Sequence, residues 1–127
     1  MPVGLSTTTL ANNWLNMLRA VAFVAPAGTF IKLHIGDPGA AGATNPSVVV
    51  TRQSATFSAA ASGAIALSNA PAFAMTATET ISHISVWDAA TLGNLLWTAA
   101  LTTAKAVVNT DTLTFTTVGV SLAPLAA

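Results

Sequence analysis

Between Ser6 and Ala22 the apolar positions recur at helical spacing. Leu10, Trp14, Met17, Leu18 and Val21 stand at i, i+4, i+7, i+8 and i+11 and fall on one helix face. The hydroxyl residues of Ser6 to Thr9 suit an N-cap, and Pro26-Ala27-Gly28 closes the element, so an N-terminal helical segment is expected over residues 1–25. Beyond Gly28 the period falls to two. Thr29 to Ile35 sets Ile31, Leu33 and Ile35 against Phe30, Lys32 and His34, and Ala64 to Ser68 puts Ile65 and Leu67 on one side. Further strands are predicted at Val48–Arg52, Thr56–Ser58, Ile81–Asp88, Leu95–Leu101, Ala106–Val108, Thr112–Thr116 and Val118–Leu122. The turn signals DPG, ASG, SNAP, TLGN and NTD separate these strands at the roughly 8–12 residue spacing of an all-β sandwich or barrel. The predicted fold is mainly β: one domain over 1–127, with a β-sandwich from residue 28 (a jelly roll being one arrangement) and one N-terminal α-helix.

The segment from Lys32 to Pro46, KLHIGDPGAAGATNP, runs from strand alternation into three glycine triplets. A collagen shaft needs that period over many triplets, and here it stops before VVVTR, which has strand character. A phosphate cradle needs glycines opening a helix that carries Lys and Ser/Thr, and no Lys follows Gly42 in ATNPSVVV. The remaining reading is a loop in which Pro38 presets φ and Gly39 supplies a positive φ.

Composition narrows the class. Charged residues make up 6% of the 127 and hydrophobic residues 53%, where a soluble domain has about 25% charged. Four Lys and Arg balance four Asp and Glu, so the net charge is zero and there is no electrostatic footprint for nucleic acid or anionic lipid. Mean hydropathy is +0.67. The longest apolar run, Ala20 to Ala25, is far short of the ~20 residues of a membrane span. The opening MPVGLSTTTLANNW lacks the basic start and apolar block of a secretory leader, so the chain is expected to stay in the cytoplasm unless an assembly carries it out. Cysteine is absent, which excludes disulfides and thiolate metal sites.

The inventory for catalysis is thin: His34, His83, Asp37, Glu79, Asp88, Asp111, Lys32, Lys105, Arg19 and Arg52, with no Tyr. His34 with Asp37 and His83 with Asp88 allow a two-His, two-carboxylate metal site to be drawn, but histidines on the polar or interface side of strands are the simpler reading. No serine lies in a G-x-S-x-G elbow. The expectation is no catalytic activity and no cofactor or metal. Trp14, Trp87 and Trp97 could stack on sugar rings, yet a helix face and neighbouring strands are ordinary packing positions for them.

Three segments carry a resemblance: LANNWLNMLRAVAF, KLHIGDPGAAGATNPSVVVTRQSATF, and TETISHISVWDAATLGNLLWTAALTTAKAVVNTDTLTF. Together they resemble a family of short proteins from tailed bacteriophages of actinobacteria, labelled tail fibre protein or minor virion and capsid decoration protein. The most specific runs are Leu33 to Gly39 and Ile81 to Asp88. The resemblance implies a virion structural protein, assembled in the host cytoplasm, and brings no catalytic motif. A compact domain without a 20–50 residue repeat or a heptad run suits a coat, so a minor capsid or head decoration protein leads, with a tail fibre or tail-associated subunit, including a carbohydrate-binding one, as the alternative. Expected partners are further copies of itself, in a closed homo-oligomer with a trimer favoured, and other virion proteins such as the major capsid protein. Trp14, Asp37, Pro38, Gly39, Trp87 and Trp97 are the expected subunit contacts.

Overall fold

The computed structural model describes residues 3–122, so the last residues of the predicted domain at either end lie outside the described ones. A short helical segment leads. It begins as a π turn, Thr7–Ala11, continues as an α-helix, α1, over Asn12–Asn16, and closes as a 3-10 turn, Met17–Arg19. The Ser6 hydroxyl accepts from the Thr9 amide at the start. At the end Ala20 turns left-handed, with φ 61. There the Val21 N–H reaches the Asn16 carbonyl at 3.2 Å and the Ala20 N–H the Met17 carbonyl at 3.0 Å, the paired bonds of a Schellman stop. The segment therefore ends well before Ala25. Of the predicted stripe only Leu10 is buried and Trp14 half-buried, while Met17, Leu18 and Val21 are exposed.

Eight strands follow: β1 Phe30–His34, β2 Gln53–Ser54, β3 Ala64–Ala66, β4 Ala72–Ala74, β5 Glu79–Trp87, β6 Leu95–Val107, β7 Thr112–Thr114 and β8 Gly119–Ser121. One sheet has the order β2-β1-β5-β6, and two pairs, β3-β8 and β4-β7, make up the rest. Every pairing is antiparallel. Alternation decides what the large sheet buries: Ile31 and Leu33 of β1, Ile84 and Val86 of β5 and Trp97 of β6 share one face in register. Phe73, Met75, Leu113 and Phe115 join them in one core cluster, with Phe73 and Phe115 edge to face at 5.9 Å. The β-sandwich reading stands, with the N-terminal helix packed on it through Leu10 and Trp14.

Four strand assignments change. Thr56–Ser58 is no strand, since Phe57 makes only an isolated bridge to Leu67. Val48–Arg52 forms no ladder, and side chains take its first two donors: Glu79, which also accepts from the Ser47 hydroxyl, accepts from the Val48 N–H, and Ser47 Oγ accepts from the Val49 N–H. Only Gln53 and Ser54 then pair with β1. β4 went unpredicted, although Pro71, Phe73 and Met75 alternate as buried positions with exposed neighbours. The two predicted strands over Leu95–Leu101 and Ala106–Val108 are one strand, β6. Its register against β5 jumps between Ile81↔Lys105 and His83↔Ala100, a bulge that absorbs the extra residues.

Candidate subunit-contact site

The Gly36 to Pro46 loop folds back on the polar face of the large sheet. Asp37 Oδ1 accepts from the Gly39 N–H at 2.8 Å, and the Asp37 carbonyl takes Thr44 Oγ1 at 2.8 Å and Asn45 Nδ2 at 2.9 Å. The Gly39 amide holds the Asp37 carboxyl below the usual carboxylate range. Positive φ at Gly39 and Gly42, 71 and 65, turns the chain inward. Gly42 is buried, and a Cβ there would stand 2.7 Å from Leu95 Cδ1 and 3.0 Å from Trp87 Cζ2.

Under the loop lies a chain of polar bonds. His34 and Ser85 are both 0% exposed. His34 Nδ1 lies 2.8 Å from the Thr44 carbonyl, which can only accept, so Nδ1 carries the proton. Nε2 therefore accepts from the Ser85 hydroxyl at 2.7 Å, and Ser85 Oγ accepts from the Trp87 Nε1–H at 2.8 Å. Burial pushes the His34 pKa down. A serine on a histidine nitrogen at this distance has the spacing of a nucleophile and its base. Here both groups are sealed from solvent and fully bonded, so they hold the loop to the sheet. His34 is thus an internal residue, not one on an open polar face. Ser85 escaped notice, although its place two residues from both His83 and Trp87 put it on their face of β5.

At the other end of β5, Arg52 stacks over Trp87, its Cζ 4.1 Å from the ring centroid, and Nη1 donates to the Ala89 and Leu92 carbonyls at 2.7 Å each. Burial lowers the Arg52 pKa. Asp88 accepts from the Asn94 backbone N–H at 2.7 Å and from its Nδ2 at 2.9 Å. Burial raises the Asp88 pKa, but these bonds and nearby Arg52 outweigh it and leave the carboxyl below its ordinary value. The hypothetical metal site does not assemble: His34 and His83 pair across β1 and β5, but His34 spends both ring nitrogens on Thr44 and Ser85, and Asp88 closes a different loop on Asn94. No cluster of three or more His, Cys, Asp or Glu side chains that could hold a metal occurs among the described residues.

The six candidate contact residues separate by position. Pro38 and Trp97 are buried within the subunit, Trp97 with Phe57 at 5.8 Å between ring centroids. Asp37, Gly39 and Trp87 are half-buried, and Arg52 covers the Trp87 ring. Trp14 alone of the tryptophans has no such cover and opens onto a groove of about 330 Å³, walled by Leu10, Phe23, Phe57, Ile65 and Trp97. Phe23, Phe57 and Ile65 were not expected there, because the wall is assembled from segments far apart in sequence. No helix among the described residues is long and apolar enough to cross a membrane.

No curated protein matches the sequence. A family model described as "Podophage GP4 fiber I protein gp80" matches residues 5–123, from the first bridge of the N-terminal segment past the last strand, so the chain belongs to this family of phage fibre proteins.

Proposed function

We propose that the protein is a non-enzymatic structural subunit of a bacteriophage tail fibre, working in the virion as a homo-oligomer, with a trimer as the favoured order. The observation that carries this is the fibre family match over nearly the whole chain. It supports the fibre alternative over the head decoration reading that led from the sequence. That reading rested on a compact domain without a shaft, and a short fibre segment built of compact domains has the same property. The chemistry agrees with a structural role. The serine and histidine that touch each other are sealed under the loop, and the charged side chains of Arg52, Asp88 and Glu79 serve loops of their own subunit. Sugar recognition draws little support, since Trp97 is buried and the Trp87 ring is covered by Arg52. Its other contacts would be neighbouring virion proteins. Quantitative mass spectrometry of purified virions, with gold-labelled antibody against this chain, tests the assignment. A small copy number with label on the tail supports it, and hundreds of copies with label on the head would return the protein to the capsid.

A further inference from the structure

The apolar stripe of the N-terminal helical segment runs past the sandwich that it packs on. Leu10 is 5% exposed, Trp14 is half-buried, and Leu18, one turn further along the same face, is 86% exposed. Around Leu18, Leu15 is 64% exposed, Met17 51%, Val21 45% and Val24 86%. Apart from Val48 and Val50, large apolar side chains this exposed are otherwise scattered singly over the described residues, and here five crowd into ten positions. Beside them lies the groove of about 330 Å³ onto which Trp14 opens, with Thr29 the one polar side chain in its wall. A cavity of ~150 Å³ holds a benzene-sized group, so the groove has room for two side chains of leucine size. Leu15 and Leu18, at i and i+3, are such a pair.

We propose that a second copy of this chain covers this surface, with Leu15 and Leu18 of one copy seated in the groove of the next. Three observations favour a copy over a different partner. The projecting pair and the recess that fits it belong to one chain, so each copy carries both a projection and a recess for its neighbour's. The patch offers little to a charged partner, since Arg19, which donates to Asn16 Oδ1 at 3.3 Å, is its one ionic side chain and the five projecting ones are apolar. The area is sufficient as well. Five projecting side chains and the groove walls offer on the order of 500 Å² per copy, which reaches the ~1,000 Å² total of a specific interface. The proposal rests on the homo-oligomeric part of the fibre reading and assigns it a surface.

The chain has no cysteine, which makes a cross-linking test clean. Leu18→Cys and Ala60→Cys chains, the second substituted on the exposed rim of the groove, are mixed and oxidised without denaturant. A disulfide joining the two different chains is expected. In sedimentation velocity at about 100 µM, the unsubstituted protein should be oligomeric, while Leu18→Asp and Ala60→Trp should each weaken association at least tenfold with an unchanged circular dichroism spectrum. Both positions are exposed in the subunit, so neither change should unfold it. An oligomer that survives both substitutions and gives no mixed disulfide would overturn this surface and leave the oligomeric reading standing. A monomer at that concentration would overturn both.

Discussion

Gly42 is a residue where the loop has no freedom to substitute. Its φ of 65 is one that L side chains rarely adopt, and the space where a Cβ would go belongs to Leu95 and Trp87. Gly42→Ala should destabilise the subunit by about 1–3 kcal/mol, from overpacking and backbone strain together. Urea denaturation measures it, and a neutral result would mean that the loop is not seated on the sheet. His34 makes the same seat sensitive to pH. Its folded-state pKa lies below the ordinary 6.5, with burial as the largest cause, so on acidification the unfolded chain takes up the proton first. The stabilisation is complete above about pH 6.5 and is lost as pH falls from there toward the folded-state value. Melting temperature against pH should decline over that interval, and a His34→Gln variant should flatten the decline. The Asp37-Pro38-Gly39 turn was legible in the sequence because turn chemistry is local. The burial of His34 was not. It depends on a loop that closes over β1 from the other side and on a hydroxyl from β5, neither of which a period-two pattern encodes.

Helix and strand boundaries were set by backbone donors and acceptors more than by apolar spacing. The helical stripe continues in sequence through Val21, yet the chain stops at a Schellman motif whose left-handed residue is Ala20 rather than glycine. A left-handed alanine is strained where glycine is at ease. Ala20→Gly should therefore stabilise the subunit by about 0.5–1 kcal/mol or leave it unchanged, since the gain at the cap is offset by the freedom that glycine adds to the unfolded chain. A loss beyond ~1 kcal/mol in thermal melts would mean that the helical segment does not end there. The same competition enters at Val48–Arg52, whose β-branched run reads as a strand but whose Val48 and Val49 amides go to Glu79 and Ser47. Legible elements were those whose pairing needed only alternation: β1, β3, β5, β7, β8 and the first half of β6. The sequence could also have yielded β4, since the alternation of Pro71, Phe73 and Met75 is regular, but a turn signal beside a proline outweighed it. The β6 bulge left no local trace, because a register jump is a property of two strands.

For the whole molecule, the question is what a surface with four acidic and four basic side chains can do among many copies of itself. Few of those charges face outward unattended. Arg52 donates to the Ala89 and Leu92 carbonyls, Asp88 accepts from Asn94, Glu79 from Ser47 and Val48, Asp111 from the Val108 amide, and Arg19 donates to Asn16. Lys32 is half-buried, and burial lowers its pKa. With so few charges, and most of them engaged by their own loops, the association proposed above would fall to apolar area. Two measurable consequences distinguish this from an interface of ion pairs. Raising sodium chloride from about 0.05 to 1 M shortens the screening length from over 10 Å to about 3 Å, which would loosen an electrostatic contact, but here the dissociation constant should change less than about threefold. Cooling should weaken the oligomer, because the hydrophobic driving force fades at low temperature, and sulfate should tighten it. Sedimentation equilibrium across salt and temperature reads all three. A tenfold loosening in sodium chloride would mean that charged groups carry the contact, and that the apolar surface around Leu18 serves something other than a second copy.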